Sequence, residues 1–203
     1  MTTVKSWACR DAARAGALVS YAFLEQPLSV FLDRVASADP APGGGACAAV
    51  TVGLAAGLCA MAARFSSATI PDAPALAERA DALRRQVQVL ASEDAEAYTE
   101  VLRAFALPRE PDPVARRDQI RARLSAAAEP PLAVAEAAVE VGVLALRLVA
   151  HGNPNLRGDA LTGRLLAAAG CRAAVELVAA NVMTGDPRLA RARKLADSWP
   201  EPP

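Results

Sequence analysis

Steps of three and four lead from Leu83 through Val87, Leu90, Asp94, Tyr98 and Val101 to Phe105, which places all seven on one face of a predicted helix. Six of the seven are apolar or aromatic, and Asp94 stands where the pattern calls for leucine. Burying a carboxylate is costly unless something pairs with it. A carboxyl group in that place is therefore a candidate for acid–base chemistry, its pKa adjusted by its surroundings. A structural hydrogen bond, or a slight rotation that leaves Asp94 at the rim, would explain the same pattern without chemistry.

Two further constellations depart from plain helical patterning. Gly43, Gly44 and Gly45 follow Pro42 and open a helix, where they expose backbone N–H groups and admit a ligand very closely. No Gly-Lys-Ser/Thr follows and no strand precedes, so the turn is neither a phosphate-binding P-loop nor a dinucleotide fingerprint. Asp39, just before it, reads as a turn residue. The segment HGNPNLRGDALTG gathers His151, Asn153, Asn155 and Asp159. Asparagines there suit a loop, and Asp159 is placed to cap the helix that follows. Arg64 complements the dipole at the end of its helix. Asn181 lies in an apolar turn where a core amide needs a partner.

The elements that position these residues are predicted to be helices throughout. The chain has 203 residues, 50 of them alanine, and only 4% aromatic. Alanine is the strongest helix former, and β-branched or aromatic strand-like runs are missing. The expected architecture is an all-α, single-domain bundle of six to seven helices around a central Ala/Gly-rich helix. Helices are expected from Ser29, as cap, to Ser37, then over 45–66, 74–107, 114–128, 129–149, 159–183 and 187–196, with Gly185 as a C-cap. Residues 1–23 read as an N-terminal helix or arm, 24–198 as the folded domain, and 199–203 as a tail.

Composition also narrows the function. Lys+Arg and Asp+Glu both number 22, so there is no basic face for nucleic acid. Cys9, Cys47, Cys59 and Cys171 have no metal-like or redox spacing and only one histidine to help them, so they are expected as reduced core thiols, with no metal site. Charges interrupt the first fifteen residues, which excludes a secretory signal there and points to the cytoplasm. The uncharged run from Ala46 to Ala63 has the length of a membrane span, but it is mostly small residues and equally suits the centre of a soluble bundle. No membrane association is expected.

Taken in order, DPAPGGGACAA, AGLCAMAARFSS, SEDAEAY, FALPRE, PPLAVAEAA, GNPNLRGDA and ANV resemble the cyclodeaminase/cyclohydrolase family, over about Leu24 to Leu189. The family includes the cyclodeaminase part of formimidoyltransferase-cyclodeaminase and stand-alone bacterial methenyltetrahydrofolate cyclohydrolases. The resemblance implies an all-helical homodimer with a folate site near the subunit interface. It assigns Asp94 and Asp159 as catalytic carboxylates. Asp39, Gly43, Gly44, Gly45, Arg64, Tyr98, Asn153, Asn155 and Asn181 become substrate-binding positions, with no cofactor beyond the tetrahydrofolate substrate. The chain departs from the family at Gly158, where a serine is common, around Cys47 and Thr51, and at Leu177-Val178, where the family carries an Asn-Val pair.

The implied reaction is hydrolysis of 5,10-methenyltetrahydrofolate to 10-formyltetrahydrofolate by carboxylate-assisted attack of water. The alternatives are formiminotetrahydrofolate cyclodeamination with release of ammonia, and a non-catalytic folate-binding relative.

Overall fold

A computed structural model describes residues 23–199. Among them the chain forms seven α-helices and no strand: α1 (Leu28–Val35), α2 (Gly44–Arg64), α3 (Ala73–Ala106), α4 (Pro113–Ala126), α5 (Glu129–His151), α6 (Arg157–Asn181) and α7 (Pro187–Asp197). Short 3₁₀ turns at Phe23–Glu25 and Pro154–Leu156 complete the element order. The all-α bundle expected from composition is what forms. The expected arm and tail lie almost wholly outside the described residues.

The centre of the bundle is α2, packed against α3, α5 and α6. Ala46, Ala49, Val52, Ala55, Ala56, Cys59 and Ala63 on it are fully buried. By length and composition it is a helix that could cross a membrane, and 56% of the qualifying window is inside the protein. Small residues let its neighbours approach closely. A Cβ added at Gly170 of α6 would lie 2.5 Å from Val52 Cγ2, and one at Gly163 would lie 3.1 Å from the Ala55 carbonyl. Gly163 thus faces the middle of α2, and Gly170 a point nearer its start. The two helices run antiparallel, with the start of α6 beside the end of α2.

Several helix ends differ from expectation. No side chain caps α1; Pro27 occupies the cap, and Ser29 lies inside the helix. Leu156 occupies the cap of α6, so Asp159 sits in its first turn and not at its cap. The 3₁₀ turn before α6 is what displaces it, and Asn153 caps that turn by accepting from Asn155 N at 3.0 Å. His151 is the last residue of α5 and exposed. Helix α6 stops at Asn181 with Val182 as its cap, and Gly185, at φ +93°, turns the chain toward α7 instead of ending α6.

Aspartates do cap α4 and α7. Asp112 accepts from Val114 N and Ala115 N, and Asp186 accepts from Arg188 N at 2.9 Å. The Arg188 guanidinium then ties α7 to the α4–α5 corner by donating to the Ser125 carbonyl and to Glu129, both at 2.7 Å. Its hydrogen bonds hold the Asp186 carboxyl down at about 2. Cys59 and Cys171 are free, buried thiols and Cys47 is half-buried; Cys9 is outside the described residues.

The close seam between α2 and α6 has a measurable consequence. Gly170→Val forces a branched side chain onto Val52, and overpacking of this kind costs about 1–3 kcal/mol. Urea unfolding should show that loss, whereas Gly158→Ala, at a position with nothing within 4 Å, should unfold like the parent.

Candidate functional site

The face of α3 that carries Asp94 changes its surroundings along its length. Leu83 and Val87 are fully buried and Leu90 nearly so, against the core of the bundle. From Asp94 onward the same face leaves the core and becomes the wall of a cavity of about 660 Å³. Asp94, Tyr98, Val101 and Phe105 line it. Opposite them stand Ser37 to Ala41 and Gly43 to Gly45 from the turn before α2, Leu124 and Ala127 from the α4–α5 corner, and Leu177, Ala180 and Asn181 from the end of α6.

Asp94 is half-buried, and its carboxylate lies directly on the first turn of α2. It accepts a hydrogen bond from the Ala46 backbone N–H. The contact requires glycine at 45, because a Cβ there would overlap both carboxylate oxygens and the carbon between them. Burial pushes the Asp94 carboxyl up to about 6, against the pull of that hydrogen bond. Helix α2 has no side-chain cap of its own, since Gly43 occupies the cap position. A carboxylate borrowed from α3 serves one of its unpaired N–H groups instead. Nearby, burial and then the Asp94 charge raise the Cys47 thiol, which keeps it protonated.

Asn181, at the far wall, finds the partner that a core amide needs: its Nδ2 donates to the Ala127 carbonyl at 2.9 Å. That bond fixes the α4–α5 corner, and Leu124 and Ala127 with it, against α6. Asp39 lines the entrance beside Ser37, whose hydroxyl accepts from the Asp39 N–H at 3.1 Å.

Of the eleven residues singled out in the sequence, the cavity therefore gathers seven: Asp39, Gly43, Gly44, Gly45, Asp94, Tyr98 and Asn181. Arg64, Asn153, Asn155 and Asp159 do not join them within this chain. Arg64 ends α2, roughly 30 Å from the glycine turn at 1.5 Å per residue, and it pairs with Asp81 of α3. Asn153 clamps that same end, donating from its backbone to Ser66 Oγ at 2.9 Å and from Nδ2 to the Phe65 carbonyl at 3.1 Å. Asn155 and Asp159 follow in the 3₁₀ turn and the first turn of α6, beside the end of α2. The polar residues thus form two clusters, one at each end of the central helix. Among the described residues no three His, Cys, Asp or Glu side chains come together as a metal site would need.

Sequence reading did not single out Leu102, Leu124, Ala127 or Ala180 as lining residues. Leu124 carried a faint signal, as one of few bulky apolar residues on α4, a helix with none of its residues buried.

The sequence matches a known class of enzyme, and the all-helical bundle a known fold. The chain belongs to the formiminotransferase-cyclodeaminase family, whose model matches residues 27–194. It is 32% identical, over 171 residues, to a protein from Methylorubrum extorquens named methenyltetrahydrofolate cyclohydrolase, covering 80% of this chain and 82% of that one. The fold is that of the crystal structure of formiminotetrahydrofolate cyclodeaminase from Thermotoga maritima, with a TM-score of 0.75, 23% identity, and coverage of 87% of this chain and 89% of the other.

The raised Asp94 pKa makes stability depend on pH with a definite sign. Between an unfolded value of about 3.9 and a folded value of about 6, the folded chain holds more protons than the unfolded one. Stability is therefore highest below the unfolded value and falls as pH rises through the folded one. Denaturation midpoints measured across pH 4 to 7 should show that fall in the parent, and Asp94→Asn should remove it.

Proposed function

We propose that the chain is an enzyme of folate one-carbon metabolism, a methenyltetrahydrofolate cyclohydrolase that converts 5,10-methenyltetrahydrofolate and water to 10-formyltetrahydrofolate and a proton. The observation that carries this reading is Asp94: a half-buried carboxyl with a pKa near 6, seated on a helix N-terminus in the wall of a largely apolar cavity. A cavity of that volume suits a small organic ligand. Tyr98 and Phe105 offer faces to a flat ring system, and the bare glycine turn leaves room for its edge.

The substrate is a cationic amidinium, which an ionised Asp94 attracts. As water adds to the methenyl carbon, Asp94 takes one of its protons, giving a neutral carbinolamine. Asp94 then returns that proton to the ring nitrogen N5. The carbon–N5 bond breaks, the C=O bond forms, and the hydroxyl proton leaves to solvent. No cofactor beyond the folate is needed. The first step requires the carboxylate, so activity should rise with pH through about 6. Asp94→Asn should lose more than about 100-fold in kcat, the usual scale for a proton-transfer group, with an unchanged circular dichroism spectrum. Loss of the methenyl absorbance reports both, and near-parental rates in the variant would sink this role. A parent that instead generates methenyl absorbance from formiminotetrahydrofolate would support the cyclodeaminase alternative.

The second cluster belongs to the same reading. We propose that the protein acts in the cytoplasm as a homodimer in which Arg64, Asn153, Asn155 and Asp159 of one protomer face the glycine turn of its partner. An apolar ridge runs from the middle of α2 to its end: Leu54 and Phe65 lie eleven residues apart on one face, 59% and 65% exposed; Leu165 of the adjacent α6 is 58% exposed. Twofold packing of that ridge on a second copy aligns the end of one α2 with the start of the other. Mixing and refolding two inactive variants, Asp94→Asn and Asp159→Asn, should then recover activity, because each mixed dimer holds one intact site. No recovery in a demonstrated mixed dimer would overturn the shared site.

A further inference from the structure

The glycine turn at the mouth of α2 is held between two side chains of opposite character. On one side the Asp94 carboxylate occupies the space a Cβ of Gly45 would need. On the other, Leu177 Cδ2 lies 3.6 Å from where a Cβ of Gly44 would be, and Cδ1 lies 3.9 Å away. Consecutive helical residues point about 100° apart, so the acid and the leucine approach the turn from different directions while lining the same cavity. Leu177 is half-buried, one helical turn before Asn181, and it has neither a donor nor an acceptor.

The two reactions catalysed by members of this family's chemistry place different demands on that wall. A methenyl carbon carries only hydrogen and sits between two substituted nitrogens, so its edge asks for no hydrogen bond. A formimino group carries N–H donors on the nitrogen that departs as ammonia, and those donors need acceptors once water is excluded. The Asp94 carboxylate meets the turn at Gly45 and not at Gly44, where Leu177 stands. An N–H donor pressed against Leu177 is left without a partner, which lowers kcat/KM by about tenfold or more.

We propose that Leu177 is a specificity-determining residue, which closes the cavity over Gly44 with an apolar surface and so favours the methenyl over the formimino substrate. The inference rests on the cyclohydrolase reading above and adds to it the residue that selects the substrate.

The test compares kcat/KM for methenyltetrahydrofolate and formiminotetrahydrofolate in the parent, Leu177→Asn, Leu177→Ala and Leu177→Met. Leu177→Asn supplies an acceptor on a side chain of the same branching and should raise the formimino-to-methenyl ratio by about tenfold or more, the scale of one unsatisfied hydrogen-bonding group. Leu177→Ala, which only makes room, should move both substrates alike, and Leu177→Met should keep the parental ratio. Leu177→Ser is the second polar variant should the asparagine protein not fold. An unchanged ratio in the polar variants overturns the proposal, as does an equal shift in Leu177→Ala or a parent that already turns over both substrates equally well. A parent inactive on both substrates overturns the cyclohydrolase reading itself, and that result shows before any substitution is made.

Discussion

The contact between the Asp94 carboxylate and the first turn of α2 is the constraint on which the rest of the site depends. It needs three things at once: a helix start with no side-chain cap, a glycine at 45, and a carboxylate carried to that point by another helix. Each has a cause in the sequence. Three glycines leave α2 with bare N–H groups at its mouth. The 34-residue length of α3 lets its inner face run past the core and still reach the cavity. The apolar residues on both sides of Asp94 then desolvate it, which raises its pKa, while the helix N-terminus stops that rise from becoming so large that the group no longer ionises near neutral pH. Burial outweighs the hydrogen bond, and the carboxyl settles at about 6.

Much of this was legible in the chain. Alanine content and the spacing of apolar residues give the helices and their order, because helix propensity and amphipathic period are local properties. Asp94 announces itself by interrupting a stripe, and a polar residue at a core position is the kind of local inconsistency that marks functional sites. What the pattern does not contain is distance between segments. Asn181 needs a partner, but that the partner is the carbonyl of Ala127, 54 residues earlier, follows only from packing. The split of the polar residues into two clusters is hidden for the same reason, since sequence motifs in order look like one site until the length of α2 separates them. Helix ends were the least legible. Asp159 is a good cap by type, yet a 3₁₀ turn capped by Asn153 takes up the chain first and moves Asp159 into the helix.

The Ala/Gly composition of α2 serves both the fold and the site. A helix buried on several sides by close neighbours must carry small side chains, and Gly163 and Gly170 of α6 show how near the backbones come. Such a seam buries little apolar area per residue, so its stability comes from dense contact and not from bulky side chains. It is also unforgiving of added volume. The same closeness holds the two ends of α2 at a fixed separation, which makes α2 a rigid spacer between the glycine turn and the Arg64–Asn153 end.

A rigid spacer with polar groups at both ends, and an apolar ridge from its middle to one of them, is what the proposed dimer would draw together. The Asn153 amide and backbone are committed to closing the end of α2, and Arg64 is paired with Asp81, so that end has its own structural reason to be polar. Asn155 and Asp159 take no part in the α2 clamp, although Asp159 complements the dipole at the start of α6. Among the described residues nothing covers the ridge of Leu54 and Phe65, and an exposed apolar patch marks an interaction surface. The proposed twofold arrangement gives both a use. In that proposed dimer the ridge is covered and the polar groups at the end of one α2 come to the cavity that holds Asp94 of the other.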